Sequence, residues 1–314
     1  MEKTDLQPAS IWLRLAAGVI AHLPVARYRA MDVFSNRFKH PFLMSLPEEM
    51  GGYQFKCDLR DSIAREVCFN NRYEPQETSL LRGILRPGGT FVDVGANWGY
   101  FTLMAAHIVG QAGRVISLEP DPRLFAALED NATRNHLSQV TALQIAAASE
   151  PGTLTLNGYD ERSSNWGLSS IVTNGANAAS VFLVTACPVD ALLDEQEVDG
   201  VDLLKMDIEG AEEIALRGMS EGLARHRYKR ILLEAHPALL AKQKRTTGDV
   251  LNLLIEAGYQ GWVIDHSSQA IRRAAYARTL NPADYLRRLD SASCFDAWPH
   301  FLWLAPGTVL NDGD

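Results

Sequence analysis

The chain has 314 residues, 46% of them hydrophobic and 22% charged, the balance of an ordinary globular protein with room for one large α/β domain and an extension. Its net charge of −8, spread without long acidic runs, argues against nucleic acid as the main partner, because phosphate backbones are bound mostly through Lys and Arg. Cys57, Cys68, Cys187 and Cys294 are scattered, with no CxxC pair and no zinc-ligand spacing, so reduced thiols in the cytoplasm are expected rather than a disulfide framework.

Residues 11–23 are apolar but interrupted by Arg14 and His22, too short for the roughly 20 residues of a membrane span. They also lack the basic start and small-residue cleavage site of a signal peptide. They read as an amphipathic helix packed on the domain, with a membrane-surface or partner-binding helix as the alternative. Residues 1–80 as a whole look helical and irregular, punctuated by Pro41, Pro47 and Gly51-Gly52, and are expected to form a cap. The main domain then covers residues 81–314.

From residue 90 onward short apolar runs alternate with helical patterns. Residues 90–94, 114–118, 140–146, 201–206 and 231–233 read as strands buried on both faces. Runs at 262–264 and 301–304 would complete the sheet. Helices are expected over 100–109, 122–135 and 247–257, the last capped by Thr246 with Asp249 and stopped by Gly258. This alternation predicts an α/β fold with a doubly wound, mostly parallel sheet. Residues 157–180, rich in Asn, Ser and Gly, follow a short strand at 153–156 and read as a long, mobile loop over the mouth of the sheet, with Tyr159 and Trp166 available to stack on a ring.

Asp93-Val94-Gly95-Ala96-Asn97-Trp98-Gly99 runs from the first of these strands into a helix at Tyr100. A turn at that place is where doubly wound folds bind nucleotides. Gly95 is expected to admit a ligand by lacking a Cβ, and Gly99 to allow tight helix–strand packing. The spacing is G-x-x-x-G, not the G-x-G-x-x-G of a dinucleotide fingerprint. Asp93 ahead of the first glycine suits a cationic group and would repel a pyrophosphate. Glu119, followed by Pro120, ends the second strand, where a carboxylate can accept both ribose hydroxyls of an adenosine. The two acidic residues together point to S-adenosylmethionine (SAM), whose methionine end carries an ammonium group.

The runs FVDVGANWGYFT (91–102), SLEPDP (117–122), LLKMDIEGAE (203–212) and LEAHP (233–237) resemble the FkbM family of SAM-dependent methyltransferases. The resemblance covers roughly residues 57–260 and includes Asn71-Arg72-Tyr73-Glu74 as a tyrosine–glutamate step ahead of the sheet. It implies a class I methyltransferase (Rossmann-like) fold and O-methylation of sugars, polyketides and related metabolites. It also implies cofactor contacts at Glu74, Asp93, Gly95, Ala96, Asn97, Gly99, Tyr100, Glu119, Pro120 and Asp207. Trp98 stands where the family has a smaller aliphatic residue, which is expected to crowd the methionine end of the pocket.

Methyl transfer from a sulfonium is an in-line displacement. The protein must align the acceptor and, for an alcohol, remove its proton. Asp207 and Glu209 follow one late strand; Glu234 and His236 follow the next. His236 is the first choice for general base because its unperturbed pKa lies near neutrality, with Asp207 second. Glu209 has an alternative role at a helix start. Asp207, Glu234 and His236 also form a donor set for a divalent ion such as Mg²⁺; the simple base is the reading adopted. A small-molecule acceptor is expected. N-methylation and a silent SAM-binding module acting through a partner are the alternatives, and neither the acceptor nor the oligomeric state is legible.

Overall fold

Most of the apolar runs after residue 90 become strands of one sheet in the computed structural model, which describes residues 6–23, 27–38, 40–158, 170–171, 181–277, 279–290, 295 and 297–310. The chain begins with helices α1 (Ile11–Ala21) and α2 (Arg27–Ser35), a hairpin of β1 (Phe42–Ser45) and β2 (Gln54–Cys57), and helices α3 (Ser62–Asn70) and α4 (Pro75–Ile84). Then come β3 (Thr90–Val94), α5 (Tyr100–Val109), β4 (Arg114–Leu118), α6 (Pro122–Arg134) and β5 (Val140–Leu143). Four strands, β6 (Ala146–Ala147), β7 (Gly152–Asn157), β8 (Ser170–Ile171) and β9 (Val181–Cys187), make a separate small sheet. After α7 (Val189–Glu195) follow β10 (Leu203–Met206), α8 (Glu212–Arg217), α9 (Ser220–Ala224), β11 (Arg230–Glu234), α10 (Pro237–Lys242) and α11 (Thr247–Glu256). The chain closes with β12 (Gln260–Ile264), α12 (Ser268–Tyr276), β13 (Leu286–Arg288) and β14 (His300–Leu304).

The strand order is β13-β12-β14-β11-β10-β3-β4-β5. The five strands from β5 to β11 are parallel, and β14 is inserted antiparallel to both β11 and β12. This is the sheet of a class I methyltransferase, with β13 added at one edge. Successive residues of one strand feed opposite hydrophobic clusters, as covering on both faces requires. Phe91, Leu203, Leu232 and Leu302 join one cluster, while Val92, Leu204, Ile231, Leu233 and Trp303 join the other.

The first cluster also contains Leu13, Ile20, Met31, Phe55, Phe69 and Leu81, so the N-terminal helices and hairpin share a core with the sheet. The expected boundary after residue 80 falls inside α4. Helix α1 docks through Leu13 and Ile20 and leaves Ile11, Trp12, Leu15 and Val19 exposed.

Two strands are shorter than their apolar runs: β10 begins only at Leu203, with Val201 in an isolated bridge to Tyr228, and β5 ends at Leu143. Residues 140–146 do not form a single strand, because the Ile145 N–H donates to Leu143 O at 3.0 Å and turns the chain out of the main sheet. Ala146 then pairs with Ala186 of β9. The expected loop at 157–180 falls mostly outside the described residues.

Candidate active site

The turn after β3 is shaped by backbone contacts. The N–H groups of Gly95 and Ala96 both donate to Leu118 O at 2.9 Å, which folds the turn against the end of β4. Gly95 has φ of 85°, and a Cβ there would stand 1.9 Å from Asp207 O. Its missing side chain therefore makes room for the neighbouring loop after β10, a close approach that the sequence did not reveal. Gly99 (φ 86°) faces Leu128 of α6, which a Cβ would approach to 2.6 Å, so its tight packing is against a helix rather than a strand.

Between the ends of β3, β4 and β10 lies an open cleft. Gly95, Asn97, Glu119, Pro120, Asp207 and Glu209 line it, with Ile145, Ala146, Ala147 and Leu156 as an apolar wall. Glu119 is buried, and its two carboxylate oxygens accept the Asn97 N–H at 2.8 Å and the Asp121 N–H at 2.9 Å. Burial pushes the Glu119 carboxyl up to about 8, against the lowering effect of those two N–H groups.

Five expected cofactor residues lie outside this lining. Asp93 is buried beneath it, where its Oδ2 accepts the Thr102 hydroxyl at 2.7 Å; burial raises its carboxyl to about 6, opposed by Lys205. Ala96 and Gly99 shape the turn through backbone. Tyr100 uses its hydroxyl to accept the Tyr73 N–H at 3.1 Å, which fixes the tyrosine–glutamate step to α5. Glu74 (φ 41°) sits 3.9 Å from Lys205 Nζ, and burial raises its carboxyl to about 7. Trp98 belongs to the cluster on the N-terminal face and not to the cleft, so the expected crowding of the pocket is not seen.

The four expected catalytic side chains do converge. Around His236 Nε2 stand Glu209 Oε2 at 3.4 Å, Glu234 Oε1 at 3.5 Å and Asp207 Oδ1 at 3.8 Å. On the other side of the ring, Nδ1 lies 2.7 Å from Glu212 Oε1, and Glu212 is fully buried. Burial alone would lower the imidazole pKa; Glu212, Glu234 and Asp207 outweigh it and raise it to about 11. In the free protein the ring is therefore a cation at neutral pH. The reason for choosing it as base, a pKa near neutrality, does not hold among so many carboxylates. Burial raises the Glu209 carboxyl to about 8, with His236 opposing.

Four further side chains extend this cluster. Lys205, two residues before Asp207 on the same face of β10, is buried with its Nζ 3.4 Å from Asp207 Oδ2 and 4.7 Å from the Phe101 ring centroid. Desolvation would lower its pKa, but Asp207, Glu74, Asp93 and Glu234 hold it well above the ordinary lysine value. His300 Nε2 is 3.6 Å from Glu234 Oε1, while its Nδ1 is 3.0 Å from Glu77 Oε1. Glu77 also holds His266 at 2.7 Å, and the two imidazoles stack at 3.7 Å.

A family model described as "Methyltransferase FkbM domain" matches residues 93–260, which is more than half of the chain. The chain belongs to the FkbM methyltransferase family. Its similarity to "Methyltransferase sdnD" of Sordaria araneosa is 31% identity over 156 residues, covering 41% of this chain and 60% of that protein. With "31-O-demethyl-FK506 methyltransferase FkbM" of Streptomyces tacrolimicus it shares 29% identity over 183 residues, 50% of this chain and 69% of that one. The crystal structure of the methyltransferase FkbM from Methylobacillus flagellatus KT is 18% identical, with a TM-score of 0.42, over 78% of this chain and 55% of that one. The matched region thus spans about three fifths of the first curated relative.

SAM is the methyl donor that FkbM membership implies, and the cleft fits it in two respects. Glu119 offers a buried carboxylate with lone pairs beyond those used by backbone. The wall at 145–147 is apolar, as a base requires. Sequence reasoning missed that wall, although its place after the third strand of the sheet was available as a signal. Sequence reasoning also passed over Lys205 and Glu212, which lie inside a motif quoted for the FkbM resemblance, and Glu77, His266 and His300, which come from distant parts of the chain and carry no local pattern.

Proposed function

We propose that this FkbM-family protein is a SAM-dependent O-methyltransferase acting on a hydroxyl of a small molecule. The observation that carries this reading is the continuity of cleft and cluster. Asp207 and Glu209 line the cofactor cleft and also face His236. A methyl group held in the cleft therefore has proton-accepting carboxylates beside it, which an alcohol acceptor needs and a neutral amine does not. SAM supplies an electrophilic methyl carbon. Glu119 binds the adenosine end, the cluster receives the acceptor's proton at Asp207, and His236 orients the carboxylates around its Nε2. The relative named for 31-O-demethyl-FK506 supports a hydroxyl on a polyketide-type acceptor.

The test is transfer of labelled methyl from SAM to a panel of hydroxyl and amine compounds matched in shape. We expect methyl ethers as the products. Labelled N-methyl products with no ether would overturn the O-methyl reading, and SAM binding without transfer to any acceptor would favour a silent binding module.

A further inference from the structure

One ligand atom each from Asp207, Glu234 and His236 lie within 4.8 Å of one another. We propose that these three residues bind a single divalent transition-metal cation of the Mn²⁺ class, an inference that rests on reading this cluster as the chemical end of the methyl-transfer site.

The first support is the posture of His236. The ring is buried, and its Nδ1 is held at 2.7 Å by Glu212, whose Oε1 is itself fixed by the Gly210 N–H at 2.9 Å. A carboxylate behind one imidazole nitrogen sets the tautomer and aims the other nitrogen, the arrangement found behind metal-binding histidines. Here the aimed nitrogen, Nε2, points into the carboxylates.

The second support is the spacing around Nε2. The oxygens of Glu209, Glu234 and Asp207 stand 3.4, 3.5 and 3.8 Å away, all beyond the ~2.7–3.2 Å of an N–H···O hydrogen bond. One N–H serves one acceptor, yet three carboxylates are held at non-bonded distance from it. Ligands bound at ~2.1–2.2 Å to a common ion lie roughly 3–3.6 Å apart. Glu234 and Asp207 stand 3.5 and 3.8 Å from Nε2 with all three donor atoms within 4.8 Å, so a small inward shift completes the set. A mixed set of one imidazole and two carboxylates suits Mn²⁺, Fe²⁺ or Zn²⁺ better than the all-oxygen preference of Ca²⁺ or Mg²⁺.

The neighbouring group of Glu77, His266 and His300 makes the contrast. Its nitrogens already contact Glu77 Oε1 at 2.7 and 3.0 Å, so its charges are satisfied directly. In the proposed site Asp207 remains partly exposed on the cleft, which gives the cation access and places it beside the acceptor. Bound there, the cation would lower the pKa of an acceptor hydroxyl and, through its positive charge, favour an ionised Glu209 able to take the proton.

The experiment titrates Mn²⁺ alone into the full chain, read by electron paramagnetic resonance and calorimetry, with SAM binding measured separately on every sample. We expect one Mn²⁺ per chain, with spin-echo modulation from one imidazole nitrogen. Glu234→Gln, which lies off the cofactor cleft, is expected to weaken Mn²⁺ by about tenfold or more while SAM affinity stays within about twofold. His236→Gln, as a second variant, should lose the nitrogen signature. Intact SAM binding without Mn²⁺ binding overturns the cation site and leaves the methyltransferase reading standing. Equal Mn²⁺ affinity in both variants overturns the assignment to these residues. Mn²⁺ binding without SAM binding upholds the site and overturns the reading on which its chemical role rests.

Discussion

The carboxylate of Asp207 faces the imidazole of His236 across 3.8 Å where the cleft beside β3 and β4 meets the acidic cluster. Only one of the pair touches the cleft, so the two substitutions should separate. His236→Ala is expected to slow the chemical step by roughly 10–100-fold, the loss typical of an orienting residue, and leave SAM affinity nearly unchanged. Asp207→Ala should lower both. Single-turnover rates and calorimetry check this, and a His236→Ala protein with a normal chemical rate would remove the cluster from catalysis.

Glu119→Ala is expected to weaken SAM by about 1–3 kcal/mol, since the ribose hydroxyls lose a buried acceptor. The same change strands the Asn97 and Asp121 N–H groups, so thermal stability should fall too. NAD should not bind either protein. Calorimetry giving tight NAD binding and no response to SAM would replace the cofactor assignment.

The Glu119 carboxyl, raised from 4.5 to about 8, also gives a pH dependence with a definite sign. Between those values the folded protein keeps a proton that the unfolded chain has released. This group's contribution to stability is thus fully present below pH 4.5 and is lost as the pH rises through 8. SAM affinity should move the other way, because an ionised carboxylate accepts hydroxyls more strongly. We expect tighter SAM binding at about pH 9 than at about pH 7, with the trend absent in Glu119→Gln. A flat wild-type profile would count against an adenosine-binding role for this carboxylate.

Gly95→Ala is expected to destabilise by about 3 kcal/mol or more, combining positive-φ strain with a Cβ driven into backbone at Asp207 O. Gly88→Ala is the control: its φ is 80°, but its Cβ would meet nothing within 4 Å, so only the strain of about 1 kcal/mol applies. Equal denaturation midpoints for the two variants would contradict the close approach of the β10 loop.

What the sequence made legible was local. Thr246 and Asp249 do exchange hydrogen bonds at the start of α11, and the apolar runs at 90–94 and 114–118 become β3 and β4 with the bounds expected. The convergence of Asp207, Glu209, Glu234 and His236 was legible because parallel neighbouring strands bring their carboxyl ends together. What escaped was set by tertiary contact. No spacing rule reveals that Trp98 turns into the core, that Gly95 makes room for backbone, or that Glu212 reaches back to His236. The raised pKa of His236 escaped for the same reason, since its acidic neighbours come from the loop after β10, the start of α8 and the end of β11.

The insertion of β14 between β11 and β12 has a consequence for biosynthesis. β14 follows every other strand of the sheet in the sequence, yet it occupies an interior position and carries His300 to the cluster. Until residues 300–304 have left the ribosome, β11 and β12 each present an unpaired edge, and the β12–β13 pair has no partner joining it to the parallel strands. The sheet is thus closed only after all its other strands have been made, and His300 reaches Glu234 in the same step. A chain ending at residue 299 should be cut readily by protease at β12 and β13 while β3 to β5 stay protected, and equal protection throughout would show that closure does not wait for β14.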